Sequence, residues 1–434
     1  MRPIAGILLA VGVYSAAAPA SRAEDFKFDA KEFEKPAFQV GGYVEGKPEY
    51  FRYDRDAAFY RLNATEGALG ADNGRATGTA EIRGKFEKDW FTAFATVHGD
   101  GQWDADQGNF REIKLFEGGL AARPATGLSI DAGKKVLKWG KGYGWNPAGF
   151  VERTKDPTDP DLSREGFWML SADYVRSFKG PLQTVGITPV VLPVRQSMNE
   201  DFGTREHVNY GGKLYLLYED TDIDFMFLAG GTRTARFGAD FSRNVLSNLE
   251  IHGEAAFIAD SSRRALDENS AIVTRQDDTL SFLLGLRYLS ETDTTYIVEY
   301  YRNGPGFEHS ETRDFFRLAR DAVDSFEATG SEALLRRART LSQAGYSGQT
   351  PARNYLYVRV SQKEPFDILY FTPSIIGIVN LGDRSLSLTP ELLYTGFTNF
   401  EVRLRGALNI GARLTEFGEK QVDGRAELRV RFYF

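Results

Sequence analysis

Apolar and polar positions alternate with a period of two along the end of the chain. Phe434, Phe432, Val430, Leu428 and Ala426 share one parity; Tyr433, Arg431, Arg429, Glu427 and Arg425 share the other. Successive side chains of a strand point to opposite faces, so this pattern predicts a strand with one apolar and one wet face. Its length, about ten residues, is that of a strand tilted across a bilayer. Phe400, Val402, Leu404, Leu408 and Ile410 repeat the pattern against Glu401, Arg403, Arg405 and Asn409. So do Leu280, Phe282, Leu284, Leu286 and Tyr288 against Ser281 and Arg287. Shorter examples are Ile223, Phe225 and Phe227 around Asp224, and Ala80, Ile82 and Phe86 against Glu81, Arg83 and Lys85. Leu249, Ile251 and Phe257 stand against Glu250, His252 and Glu254. Long segments with charge on one face fit a barrel with lipid outside and water inside, whereas a soluble sandwich has shorter strands.

The breaks between strands alternate in length. Short ones fall at 87–89, 123–127, 179–181, 220–222, 290–293, 364–365 and 396–399. Mostly longer ones fall at 54–73, 103–110, 139–165, 194–208, 261–277, 303–353 and 413–424, with short exceptions near Thr232 and Gly382. This is the rhythm of periplasmic turns and extracellular loops. The fold class expected is all-β: a transmembrane antiparallel barrel of about eighteen strands (sixteen is the alternative), both termini periplasmic, spanning 38–434. Pro189, Pro373 and Pro390 fall inside strands and predict bulges, because proline removes a ladder donor. Lys134 falls on the lipid parity, so either the register shifts near Gly133 or the strand ends early. Within 303–353, residues 313–326 and 331–342 read as two helices; Phe315, Phe316, Leu318, Ala319, Ala322, Val323 and Phe326 lie near one face of the first. That face must be buried, so this break is expected to fold onto the barrel mouth as a lid or constriction.

The first residues read differently. Arg2, the apolar run Ile4–Val13 and the small residues ending at Ala23 predict a secretory signal peptide, 1–23, cleaved near Ala23. Cleavage there leaves 411 of the 434 residues; it removes Arg2 and Arg22 and no acid, taking the charge from −7 to −9. Residues 24–37 form a short tail, periplasmic or inserted in the lumen. No later apolar run approaches the ~18–20 residues of a membrane helix. The mean hydropathy of −0.36 does not argue against a membrane barrel, since alternation averages an apolar face with a wet one. Girdles at strand ends account for much of the 20 Tyr and 32 Phe in so polar a chain: Tyr50, Phe51, Tyr53, Trp90, Phe91, Trp168, Tyr300, Tyr301, Tyr394, Phe397 and Phe432 to Phe434. With no cysteine in the chain, thiol nucleophiles, iron–sulfur sites and lipid attachment through Cys are excluded. An acidic chain is a poor nucleic-acid ligand. His98, His207, His252 and His309 are the four histidines, and no Ser-centred motif accompanies them, so no enzyme is expected.

A leader, alternating strands, no cysteine and a terminal strand closing on Phe434 together resemble Gram-negative outer-membrane barrels of the porin class. The segment Val430-Arg431-Phe432-Tyr433-Phe434 is similar to the signal read by the barrel-assembly machinery. Gly133-Lys134-Lys135-Val136-Leu137-Lys138-Trp139-Gly140 resembles the strand end of alginate-export-type and related uncharacterised porin-like barrels. The resemblance implies an outer-membrane location, the lipid bilayer and the assembly machinery as partners, and passage of small polar or anionic solutes. Periplasmic transport partners accompany the alternative of an exporter for polyanionic sugar or lipid-like cargo. A non-conducting adhesin or scaffold is the other alternative.

Projecting the parity inward places Arg359, Arg403, Arg405, Arg429 and Arg431 in the lumen with Tyr355 and Tyr357. Acids that can face this basic ladder include Glu45, Glu81, Glu254 and Glu299, with Glu49, Asp224, Asp240, Glu250 and Glu391. Opposed rows of charge select among solutes; equally, such charges pair with neighbouring strands and keep the interior wet. The break 139–165 carries Gly140, Gly142 and Gly144, then Asp156, Asp159, Asp161 and Glu165. Turn formation explains these acids as well as Ca²⁺ would, and no metal or cofactor is assigned. Phe150, Phe167, Trp168 and Met169 are expected to pack this break inward.

Overall fold

The computed structural model describes residues 36–434 except 68, 107, 161, 163 and 267–270. The expected leader, its cleavage point and residues 24–35 of the tail lie outside the described residues. Eighteen strands follow one another. The first nine are β1 (Phe38–Tyr53), β2 (Asp72–Lys88), β3 (Phe91–Asp104), β4 (Gly108–Ala125), β5 (Leu128–Lys135), β6 (Phe167–Ser177), β7 (Leu182–Val194), β8 (His207–Tyr218) and β9 (Thr221–Gly230). The second nine are β10 (Arg236–Leu246), β11 (Leu249–Leu266), β12 (Ile272–Leu289), β13 (Thr294–Arg302), β14 (Asn354–Gln362), β15 (Phe371–Asn380), β16 (Leu386–Tyr394), β17 (Phe400–Ile410) and β18 (Val422–Tyr433). Each pairs antiparallel with the next, and β18 returns to β1 with Glu45 opposite Arg431 and Tyr43 opposite Tyr433. Closure leaves no sheet edge and satisfies the ladder groups that lipid could not. The expected eighteen strands hold.

The two faces divide as the alternation requires. Ile82, Phe225, Leu284, Leu404, Leu408 and Leu428 are exposed on the outside. Asp224, Glu254, Arg405, Glu427 and Arg429 are buried within. No described helix is long and apolar enough to cross a membrane. Tyr50, Trp90, Phe397 and Phe434 are exposed at strand ends, as a girdle requires. Phe51 and Tyr301 correct that expectation: both are buried, on the inward parity, Phe51 beneath the Arg75 guanidinium and Tyr301 against Trp145.

Three further expectations change. The break at 261–277 is mostly strand, since β11 runs to Leu266 and β12 starts at Ile272. The prolines produce no bulge. Pro189 stays in register opposite Gly212 and Pro373 opposite Leu392, while Pro390 keeps Ile375 opposite it and loses pairing only toward β17. A proline that turns its missing donor to one neighbour leaves the other ladder intact. Register shifts fall instead at Thr96/Val97, Ala122/Ala125 and Ile258/Ser261, among others. The Lys134 alternative resolves as early termination: β5 ends at Lys135, and Lys134 pairs with Glu165.

The long connections gather at one end of the barrel and build a helical cap. Its members are α1 (Ala58–Ala64), α2 (His309–Thr329) and α3 (Ala333–Leu341). The two helices expected within 303–353 are α2 and α3; α1 was not foreseen. Glu308 and Glu311 form a reciprocal capping box that starts α2. The apolar face of α2, including Phe315, Phe316, Ala319 and Val323, is buried against Phe59 and Leu62 of α1 and Leu335 and Leu341 of α3. Phe59 and Phe316 meet edge to face with centroids 5.6 Å apart. Glu419, in the 411–421 connection, ties the cap to the barrel: it accepts from Arg320 at 2.7 Å and from the Ala58 N–H at 2.5 Å.

Candidate functional site

The connection between β5 and β6, residues 136–166, folds into the lumen. Its entry is the Trp139-Gly140 end of the motif that the sequence singled out. Trp139 is buried among Val190, Leu192, Met226 and Leu228, inward residues of β7 and β9. Gly140 has φ +90°, and a Cβ there would lie 2.5 Å from the Glu254 carboxylate, so no other residue type fits this turn without displacement. Phe150, Phe167 and Met169 join the same buried cluster, as expected; Trp168 does not and lies on the outward parity with Leu170. The wall from β6 to β11 thus carries an apolar patch on its inner face, from Phe167, Met169, Val190, Leu192, Met226, Leu228 and Ala256, and the loop covers it.

Buried carboxylates of β11 and β13 hold the loop. Glu254 accepts from the N–H groups of Lys141 (3.0 Å), Gly142 (3.3 Å) and Ala148 (2.5 Å). Glu299 accepts from those of Tyr143 (2.5 Å) and Gly144 (2.8 Å), and lies 2.9 Å from His252 Nε2. Consecutive backbone donors converging on one carboxylate form an anion nest, here turned to fastening a loop. Trp145 then stacks on Tyr301 with centroids 4.8 Å apart and packs against Tyr355 and Tyr357.

Farther along, Asp159 reaches the closing strands. Its carboxylate lies 2.9 Å from Arg405 Nη1, 2.8 Å from Arg429 Nη2 and 4.0 Å from Arg403 Nη1. Glu391 pairs with Arg405 at 2.5 Å, Glu427 with Arg429 at 2.8 Å, Glu401 with Arg403 at 3.1 Å and Glu45 with Arg431 at 2.7 Å. Four arginines of the ladder thus meet five carboxylates. Of the remaining residues singled out by sequence, Glu81 pairs with Arg83 and lies 3.0 Å from His98 Nδ1. The Tyr355 hydroxyl donates to Glu416 at 2.7 Å. Arg359 lies half-buried on β14, with its Nε unpaired. Asp159 and the N–H series 141–148 were not foreseen as the bridge between the two charged walls. The glycines and acids were visible, but nothing local to them names partners on strands so far along the chain.

A cavity of about 430 Å³ lies between the loop, from Trp145 to Thr154, and Phe167, Phe202, Arg233 and Arg236, while on the side that the loop leaves open another of about 330 Å³ runs along β1 to β4 and β18. The second is lined from Tyr43 to Glu49 on β1, about 20 Å of strand at ~3.3 Å per residue. Glu45, Glu49 and Asp100 face it, as do Lys47, Arg75 and Arg431. Signs alternate around this cavity instead of segregating.

The 411–421 connection closes over the long-loop end. Glu416 accepts from Tyr355 and, at 2.8 Å, from Asn380 Nδ2. Burial pushes its carboxyl up to about 7; Asp383 adds to the rise, while Lys420, Tyr355 and Asn380 oppose it. Its pKa is higher folded than unfolded, so the stability it contributes is complete below the ordinary value of 4.5 and is lost as pH climbs through about 7. At ~1.4 kcal/mol per unit the loss is about 3 kcal/mol. Thermal unfolding in detergent is expected to move to lower temperature between pH 5 and 8, and Glu416→Gln to flatten that dependence. A variant profile as steep as the parent's would refute it.

Comparison with known proteins gives no family model that matches and no curated protein that matches. Among solved structures the chain is similar to a triple mutant of the Rhodopseudomonas blastica porin, at 11% identity and TM-score 0.45, over 92% of this chain and 100% of that one. It is also similar to Pseudomonas aeruginosa OccK5 (OpdH), at 12% identity and TM-score 0.48, over 91% and 98%. The architecture rests on the strand pairing of this chain itself.

Proposed function

We propose that the protein is a passive channel in the outer membrane of a Gram-negative bacterium, with the capped, long-loop end outward, passing small polar or anionic solutes. The observation that carries this reading is the charged cavity along β1 to β4 and β18. It follows about 20 Å of strand (Tyr43 to Glu49, ~3.3 Å per residue), comparable with the ~25 Å apolar band of such barrels. The inward loop acts as the constriction. Interleaved lysine, arginine and carboxylate groups select for solutes that can exchange water for charged partners, and size exclusion does the rest.

Reconstitution into planar lipid bilayers tests the reading. Stepwise conductance is expected. Thr77 lines the cavity, so Thr77→Trp should lower the step size; Ile113, 81% exposed on the outside, should tolerate Trp without change. Absence of steps, or equal steps in all three proteins, would place the passage elsewhere or remove it.

A further inference from the structure

The other large cavity lies at the long-loop end of the opposite wall. Three segments bring arginines to it: Arg153 from the inward loop, Arg233 from the 231–235 connection and Arg236 from the start of β10. Its acids are already committed. Asp201 pairs with Arg153 at 2.5 Å and gives its backbone carbonyl to Arg233. Glu152 pairs with Arg164 at 2.6 Å and accepts from the Trp139 N–H at 3.1 Å. Arg233 and Arg236 remain. Each has a buried Nε with no hydrogen-bond partner, and neither holds a carboxylate among the described residues. Their charges repel each other. Burial also lowers the Arg233 pKa, opposed only by the field of Asp201. Two half-buried guanidiniums without a carboxylate partner leave positive charge uncompensated, and an anion relieves it with charge-assisted hydrogen bonds.

The rest of the cavity is aromatic. Arg233 lies 5.0 Å above the Phe202 ring and Arg153 4.8 Å above Phe167; those two rings meet edge to face at 4.9 Å. Trp145 and Tyr301 form another part of the lining. The volume of about 430 Å³ is within the range of small-ligand pockets.

We propose that this cavity is a binding site for a small aromatic anion, its carboxylate or sulfonate held by Arg233 and Arg236 and its ring packed on Phe202, Phe167 and Trp145. The site does not depend on the channel reading, because it is complete in the folded barrel whether or not solute crosses.

Calorimetric titration of the intact protein in detergent, at fixed ionic strength, tests it with three probes: 2-naphthoate, its uncharged amide, and inorganic phosphate. Saturable one-to-one binding of 2-naphthoate is expected, with at least tenfold weaker binding of the other two. The Arg233→Gln/Arg236→Gln variant should lose at least tenfold for 2-naphthoate, and Arg236→Lys should fall between. Heat-modifiable gel mobility reports whether each variant barrel is folded. No saturable binding, equal binding of the amide, or undiminished binding by the folded double variant would overturn the proposal. Phosphate binding as tight as that of 2-naphthoate would overturn its aromatic half. The probe comparison on the intact protein decides the matter even if the double variant does not fold.

Discussion

Excising residues 140–163 and joining Trp139 to Arg164 through a short glycine linker is expected to raise single-channel conductance several-fold. Lys135 and Phe167 stand directly opposite each other in the β5–β6 ladder, so the ends can be bridged without disturbing the barrel. The excision removes the segment that crosses from the β6–β11 wall to Arg405 and Arg429, and current scales with the cross-section it frees. It also exposes the inward faces of Val190, Leu192, Met226 and Leu228, so a lower unfolding temperature should accompany the gain. A milder variant, Glu254→Ala with Glu299→Ala, removes both carboxylate fasteners and leaves the loop present. That variant should flicker between the parent's step size and a larger one. Conductance identical to the parent's after excision would show that this loop does not set the limiting cross-section.

Asp159→Asn is expected to shift ion selectivity toward anions and to destabilise the barrel. The substitution keeps the shape and removes the charge lying within 3 Å of both Arg405 and Arg429. Breaking a buried pair by neutralising one member costs about 3 kcal/mol, at the low end of the usual range because Glu391 and Glu427 still hold the two guanidiniums. Reversal potential across a KCl gradient and unfolding temperature read the two effects separately. A shift toward cations, or no change in either quantity, would contradict the placement of Asp159 in the ladder.

The barrel was legible because its signal is local. In β17 and β18, Leu404 and Leu428 face out while Arg405 and Arg429 face in, as the parity of those residues alone predicts. The same rule located His252, Glu254 and Glu299 inside. The girdle reading, made from position near strand ends, misassigned Phe51 and Tyr301, which their parity places inside. Val190, Leu192, Met226 and Leu228 show the limit of the parity rule. They are inward and apolar because a loop covers them, and β7 consequently reads as apolar on both faces. Helix α1 escaped notice because seven residues are too few for a periodic pattern to stand out.

The sequence by itself determined the class of the fold, narrowed its strands to eighteen or sixteen, and marked the apolar face of most strands and the two longer helices of the cap. Each follows from side chains a few residues apart, where the geometry of strand or helix dictates what is seen. The tertiary structure alone decided what fills the lumen. Lys141 and Glu254 are 113 residues apart, and Asp159 and Arg429 are 270 apart. No periodicity couples such positions; they meet because closure of β18 onto β1 turns all inward faces toward one axis. There, a loop with many backbone donors and one well-placed carboxylate finds the charges that the closed sheet has gathered.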